Sequence, residues 1–209
     1  MQLVNYSLKI KNRYLIQKTN VNFKKGKINH ILGKNGVGKS QFGIDLFLGE
    51  NKSLPKEMKN NVTLISSNTN VPKDITSLFL FEILYKKFSK SKVEELSKMI
   101  NITNINQSLL IKKLSDGQKQ KLKIITFLCE DKDFIILDEI TNSLDKKSVQ
   151  EIQSFLNQYI NKYPKKTIIN ITHNLSDLKA ISGTYKLLDN QTIVDYNNHK
   201  KIINDYINN

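Results

Sequence analysis

The segment Gly33-Lys34-Asn35-Gly36-Val37-Gly38-Lys39-Ser40 constrains this chain more than any other. It fits the pattern G-x-x-x-x-G-K-[ST], in which glycines free of side-chain bulk let backbone N–H groups curl around phosphates. The context agrees. The apolar run Ile28 to Leu32 reads as a strand entering the loop, and Ser40 to Leu48 as a helix leaving it. Glycine is scarce, 8 of 209 residues, and three of them stand in this one loop, which argues against an ordinary glycine-rich turn. Lys39 would carry a point charge to the β- and γ-phosphates of a nucleotide, and the Ser40 hydroxyl would ligate Mg²⁺.

The apolar pattern supplies the surrounding elements. Val4, Tyr6, Leu8 and Ile10 alternate with polar residues, as in a half-buried strand, and Val21 with Phe23 suggests a second. Residues 49–61 are polar and read as a loop, and Val62 to Ile65 as a short buried strand. Phe134 to Leu137 is a continuous apolar run, which implies burial on both faces and hence a parallel sheet, and Thr167 to Ile171 reads as another buried strand. Helical spacing predicts helices over 77–88, 92–100, 116–130, 147–160 and 175–181. Between about 68 and 113 no strand is evident, so this stretch reads as an inserted helical part. Tyr185 to Leu188 and Thr192 to Val194 suggest a closing hairpin around Asp189-Asn190-Gln191, and the tail from Lys200 is polar apart from Ile202, Ile203 and Ile207. Strands alternating with helices around a phosphate loop imply an α/β fold.

The net charge is +14, an excess that attracts nucleic acid or an anionic membrane face. The lysines are spread along the chain without a long basic run, and no RRM, KH or zinc-finger pattern accompanies them. A solubilising coat ranks first, proximity to a membrane second, and no direct nucleic-acid contact is expected. Cys129 is the only cysteine, so no intrachain disulfide can form, and its apolar neighbours make it a buried helix residue. No leader-like segment opens the chain and no apolar run is long enough to span a bilayer, so a cytoplasmic location is expected.

Four further segments carry chemistry. Phe134-Ile135-Ile136-Leu137-Asp138-Glu139 places two carboxylates at the C-terminal end of a buried strand, the edge where open α/β sheets bind ligands. Asp138 can hold Mg²⁺, and Glu139 can orient and deprotonate an attacking water. In Leu114-Ser115-Asp116-Gly117-Gln118, Ser115 and Gln118 fit a capping box, whose helix tip also favours an anion. His173 directly follows a buried strand, where it can sense a γ-phosphate by hydrogen bonding. Asp145, after Asn142-Ser143-Leu144, is a natural N-cap. His30 and His199 read as structural.

Taken in order, phosphate loop, LSDGQ, ILDE, SLD and a post-strand histidine resemble an ATP-binding cassette ATPase over nearly the whole chain. The resemblance implies one domain over residues 1–209, an N-terminal antiparallel β part, a mixed or parallel sheet core, and a helical subdomain at about 68–122 bearing the LSDGQ signature. It implies ATP and Mg²⁺ as ligands and a head-to-tail pair of cassettes, identical or not. Each nucleotide would lie between one phosphate loop (Gly33, Asn35, Gly36, Val37, Gly38, Lys39, Ser40, Gln41) and the other copy's Ser115, Gly117 and Gln118. Glu139 would be the base, His173 the γ-phosphate contact and Asp145 a link across the pair. Departures are visible. Gln41 stands where the family usually has Thr or Ser, and Asp116 replaces the first signature glycine. Ser67 stands where a glutamine usually touches Mg²⁺ or the attacking water. Tyr14 is the nearest candidate for stacking on adenine.

The implied function is the ATPase subunit of a transporter whose membrane-spanning subunit is a separate chain, peripheral on the inner face of the membrane. The Lys-, Asn- and Ile-rich composition resembles that of AT-rich Gram-positive bacteria, where small cassettes often serve peptide or bacteriocin export and self-immunity. The alternatives are a soluble cassette acting on ribosomes or nucleic acid and a degenerate ATP-binding regulatory cassette.

Overall fold

The chain opens with a hairpin, Gln2–Ile10 (β1) and Arg13–Asn22 (β2), in a computed structural model that describes residues 1–208. Leu3, Tyr6 and Leu8 turn inward, whereas Val4 is 60% exposed and Ile10 37%. The inward face expected from Val4 through Ile10 is therefore out of phase at both ends. Asn5 adopts φ 51°, and the pairing register shifts between Leu3 and Tyr6 and again after Leu8. Such bulges insert unpaired residues and reset which side chains face the core.

Ile28–Leu32 (β3) leads through the phosphate loop into Lys39–Leu48 (α1), and Val62–Ile65 (β4) follows. Ser77–Lys87 (α2), Lys90–Met99 (α3) and Asp116–Leu128 (α4) fill the stretch before Phe134–Asp138 (β5). Lys146–Lys162 (α5), Thr167–Ile171 (β6), Leu175–Ala180 (α6), Gly183–Asp189 (β7), Thr192–Tyr196 (β8) and His199–Asn208 (α7) complete the chain. The tail expected only to be polar is thus a helix. Asn198 caps it by accepting from the Lys201 N–H at 2.9 Å, and Ile202 with Ile203 packs on Leu32, Leu178 and Leu187.

The main sheet has the order β4-β5-β6-β3-β7-β8; its first five strands are parallel and β8 returns antiparallel to β7. Neighbouring residues of β5 feed opposite layers. Ile135 and Leu137 pack with α4 and α5 through Leu122, Ile125, Ile152 and Leu156. Phe134 and Ile136 pack with α1 and the hairpin through Phe42, Leu46, Leu3 and Tyr6. Two covered faces explain why these strands show no polar alternation. His30 lies in this core, its Nε2 at 3.1 Å from the Ile181 carbonyl and its Nδ1 at 3.2 Å from the Asn170 amide. Burial pushes its pKa down to about 4, so it stays neutral and structural. Cys129 is buried at the end of α4, and desolvation raises its thiol to about 11.

Parallel register brings the chemistry-bearing loops to one edge. Ile31 of β3 and Asp138 of β5 both pair with Ile171 of β6. The loops that follow are locked from below by Asp177, which is only 1% exposed. Its Oδ2 accepts from Thr141 and Thr172 hydroxyls, each at 2.8 Å, and its Oδ1 from the Gln153 amide at 2.8 Å. Asp177→Ala would strand three buried donors. We expect a loss of about 3 kcal/mol of unfolding free energy, read as a lower urea midpoint with an unchanged slope.

Candidate nucleotide-binding and catalytic site

The phosphate loop is shaped by backbone freedom at its glycines. Gly38 has φ 107°, and a Cβ there would stand 3.0 Å from the Leu15 side chain. Gly38 is also the N-cap of α1 and offers no side-chain cap, so the first N–H groups of that helix remain available to an anion. Val37 is half-buried against Leu15 and the hairpin core, while Asn35, Gly36 and Ser40 are exposed and Gln41 half-buried. Lys39 is buried, and its Nζ donates to the carbonyls of Gly33 at 2.8 Å and Lys34 at 3.0 Å, closing the loop on itself. Desolvation lowers its pKa from the usual lysine value, opposed by the charges of Glu139 and Asp138.

Asp138 ends β5 beneath this loop. Its carboxyl is buried and, among the described residues, its Oδ1 has no hydrogen-bond partner. Burial raises its pKa; a hydrogen bond with Ser40 and the charge of Lys39 oppose the shift, and the charge of Glu139 adds to it. An orphaned buried carboxylate oxygen is costly unless something completes it. A hard cation sharing Ser40 and phosphate oxygens would do so, and that donor set suits Mg²⁺, which prefers one or two protein oxygens plus phosphates and water. Ser67 is exposed just beyond β4 and makes no hydrogen bond to Ser40 or Asp138 among the described residues.

Glu139 holds φ 55°, a left-handed backbone that costs a non-glycine residue energy and that clusters at functional sites. The turn is held by its N–H, which donates to the Ile171 carbonyl at 2.9 Å. Both carboxylate oxygens are engaged: Oε1 with His173 Nδ1 at 2.8 Å and Oε2 with the Asn142 amide at 2.7 Å. Asn142, indistinct in sequence from the rest of its turn, thus fixes the carboxylate from one side and His173 from the other. A carboxylate only accepts, so His173 carries its proton on Nδ1.

The LSDGQ segment is a complete capping box. The Gln118 N–H donates to Ser115 Oγ at 3.2 Å, and the Ser115 N–H donates to Gln118 Oε1 at 3.1 Å. Gly117 packs directly on α5: a Cβ there would overlap Ser148 Oγ and stand 2.7 Å from Ser148 Cβ. Asp145 caps α5, accepting from the Ser148 N–H at 3.0 Å and the Ser148 hydroxyl at 2.6 Å; these bonds hold its pKa below the usual carboxylate range. Asp116 is tied to Lys119 at 3.0 Å. A cavity of ≈ 400 Å³ opens beside Ser115, Gly117, Gln118, Asp145 and Ser148.

The structure therefore joins Lys39, Ser40, Asp138, Glu139 and His173 at one sheet edge, and Ser115, Gly117, Gln118 and Asp145 at a second place. Tyr14 precedes Leu15, the β2 residue whose side chain lies beside Gly38 of the phosphate loop, and its ring centroid lies 5.1 Å from the Lys9 ammonium. Leu15 and Ser148 escaped the sequence reading because only packing distinguishes them from other strand and helix residues.

Comparison with known proteins agrees with this geometry. The family model described as "ABC transporter" matches residues 16–142. The chain is 52% identical over 208 residues to the probable peptide export ATP-binding protein YydI of Bacillus subtilis (strain 168), covering 100% of both chains. Among solved structures, cbiO1 from Clostridium perfringens, part of the ABC transporter complex cbiONQ, superposes with a TM-score of 0.79 at 20% identity, over 99% of this chain and 91% of that one. The ATP-binding cassette MJ0796, in a dimeric post-hydrolysis state bound to ADP and Pi, gives a TM-score of 0.73 at 19% identity, over 93% of this chain and 97% of that one. These two share the fold. The family match, the full-length identity and the paired carboxylates beside a phosphate loop make this chain a member of the ABC transporter family, an ATP-binding ATPase cassette.

Proposed function

We propose that this cassette closes head to tail with a second cassette around two ATP molecules and so drives a separate transmembrane subunit, with peptide as the exported cargo. The observation that carries the reading is the coexistence of two half-sites. One is the hydrolytic edge of Lys39, Asp138, Glu139 and His173. The other is the capped tip of α4, which contacts Asp145 and Ser148 and forms no hydrogen bond with the phosphate loop among the described residues. The full-length likeness to a protein named as a probable peptide export ATP-binding protein supports the cargo class. No helix among the described residues is long and apolar enough to cross a membrane, which suits a subunit peripheral to the inner face of one and borrowing its channel from a partner. Residues 68–122 would form the helical subdomain that carries the signature.

In this reading the free N–H groups after Gly33 cradle the phosphates, and Lys39 exchanges its carbonyl partners for β- and γ-phosphate oxygens. Ser40 and Asp138 would hold Mg²⁺, which when bound neutralises phosphate charge. Glu139, held by Asn142 and His173, orients the attacking water and takes its proton. With Nδ1 committed to Glu139, His173 can donate to a γ-phosphate oxygen through Nε2 only as the imidazolium. ATP favours closure because only the closed pair offers it both half-sites.

The test is ATP turnover by the purified protein, alone and co-purified with the product of a neighbouring gene encoding hydrophobic spans. Mg²⁺-dependent hydrolysis that rises with the membrane partner and with an exported peptide is the expected result; hydrolysis with no membrane association would refute the transport reading. Lys39→Met is expected to reduce turnover by about 10²-fold or more by removing a charge aimed at the phosphates, measured as phosphate release.

A further inference from the structure

Lys123 sits in the middle of α4 with its ammonium turned into the protein. It is 9% exposed, and its Nζ donates to the backbone carbonyl of Ser66 at 2.9 Å. Among the described residues it has no carboxylate partner. Burial lowers its pKa, and the nearby charge of Lys73 lowers it further. Its helix neighbours Leu122, Ile124 and Ile125 are wholly buried. An apolar side chain at 123 would therefore meet the packing requirement without the desolvation cost of a buried cation.

The carbonyl that Lys123 holds has a particular place. Ile65 of β4 pairs with Leu137 of β5, so Ser66 comes level with Asp138. The same carbonyl accepts from the Thr69 hydroxyl at 3.0 Å, and the Ser66 N–H donates to Thr69 Oγ1 at 2.9 Å, so the turn itself is pinned. At the other end, α4 begins at the signature cap. On the side towards the loop after Glu139, α4 borders a cavity of ≈ 210 Å³ lined by Asp116, Lys119, Lys123, Asn142 and Leu144 among others.

We propose that Lys123 is a positioning residue: its bond to Ser66 fixes the angle of the signature helix relative to the catalytic edge of the same chain, so that both half-sites are aligned when two cassettes close. This inference rests on the composite-site reading above. The experiment uses the full chain carrying Glu139→Gln, with ATP-dependent dimerisation followed by light scattering and nucleotide binding by the monomer followed with a fluorescent ATP analogue. Adding Lys123→Met or Lys123→Gln is expected to raise the ATP concentration for half-maximal dimer by about tenfold, a coupling energy of ordinary size. Monomer affinity should be unchanged, and Lys123→Arg, which keeps a long cationic donor, should restore the parental dimer. The inference is overturned by dimerisation of the Met and Gln variants at the parental ATP concentration. It is equally overturned if Lys123→Arg fails like them, or if monomer binding is lost in parallel, which marks general damage. A parent that never dimerises with ATP gives a different result and removes the composite-site reading together with this inference.

Discussion

Glu139→Gln is expected to lower ATP turnover by about 10²- to 10⁴-fold, the usual contribution of a positioned general base, while nucleotide binding persists and an ATP-bound dimer accumulates. The argument is geometric. Both oxygens of Glu139 are held, by His173 and Asn142, at the end of the strand that also carries Asp138. Glutamine keeps the length of the side chain and one acceptor oxygen but cannot take a proton from water. It also presents an N–H₂ group to one of the two partners that donate in the parent, so His173 must change tautomer or the Asn142 amide must flip for both bonds to persist. The step that breaks the γ-phosphate away is blocked, and the pair that ATP stabilises cannot release. Phosphate release and size-exclusion chromatography in ATP check the two halves. Near-normal turnover would remove Glu139 from its role, and slow turnover without dimer would remove the head-to-tail arrangement.

Gly117→Ala is expected to have the second large effect, and a selective one. The added methyl would overlap Ser148 Oγ and approach Ser148 Cβ to 2.7 Å. Rotation about χ1 can move Ser148 Oγ but not its Cβ, which the backbone fixes, so the α4 tip or the start of α5 must move. Moving α5 disturbs the Asp145 cap, which depends on Ser148 through two hydrogen bonds. The phosphate loop lies on other elements and is untouched. Monomer affinity for ATP should therefore hold while hydrolysis falls by about 10²-fold, the scale seen when one preorganised element of a site is displaced. Ser148→Gly removes the obstructing side chain, so the double variant should recover part of the lost activity. A Gly117→Ala protein with full turnover would show that this close approach is incidental.

Much of the site was legible in the sequence because its parts are local. A phosphate loop is eight consecutive residues whose glycines are needed for backbone geometry, and a capping box is a four-residue pattern whose partners are its own neighbours. Largely apolar runs such as Phe134–Leu137 and Thr167–Ile171 announce strands covered on both faces, and the carboxylates and His173 stand at their ends. Chain order alone was enough to bring these to one sheet edge, since parallel strands all end on the same side.

Tertiary structure decided the rest. The hairpin register turned on bulges at Asn5 and after Leu8, which alternation in sequence cannot reveal, and only packing brought Leu15 of β2 against the phosphate loop. The helix at 199–208 exists because Ile202 and Ile203 find a groove formed by residues far away in the chain. Asn142 on Glu139, Ser148 under Gly117, Asp177 beneath the catalytic loops and Lys123 on the Ser66 carbonyl are contacts made by side chains whose types are common and whose spacing carries no signal. The difference is one of range: backbone conformation and capping are set by the nearest few residues, whereas which polar group meets which across the core is fixed only once the layers have packed.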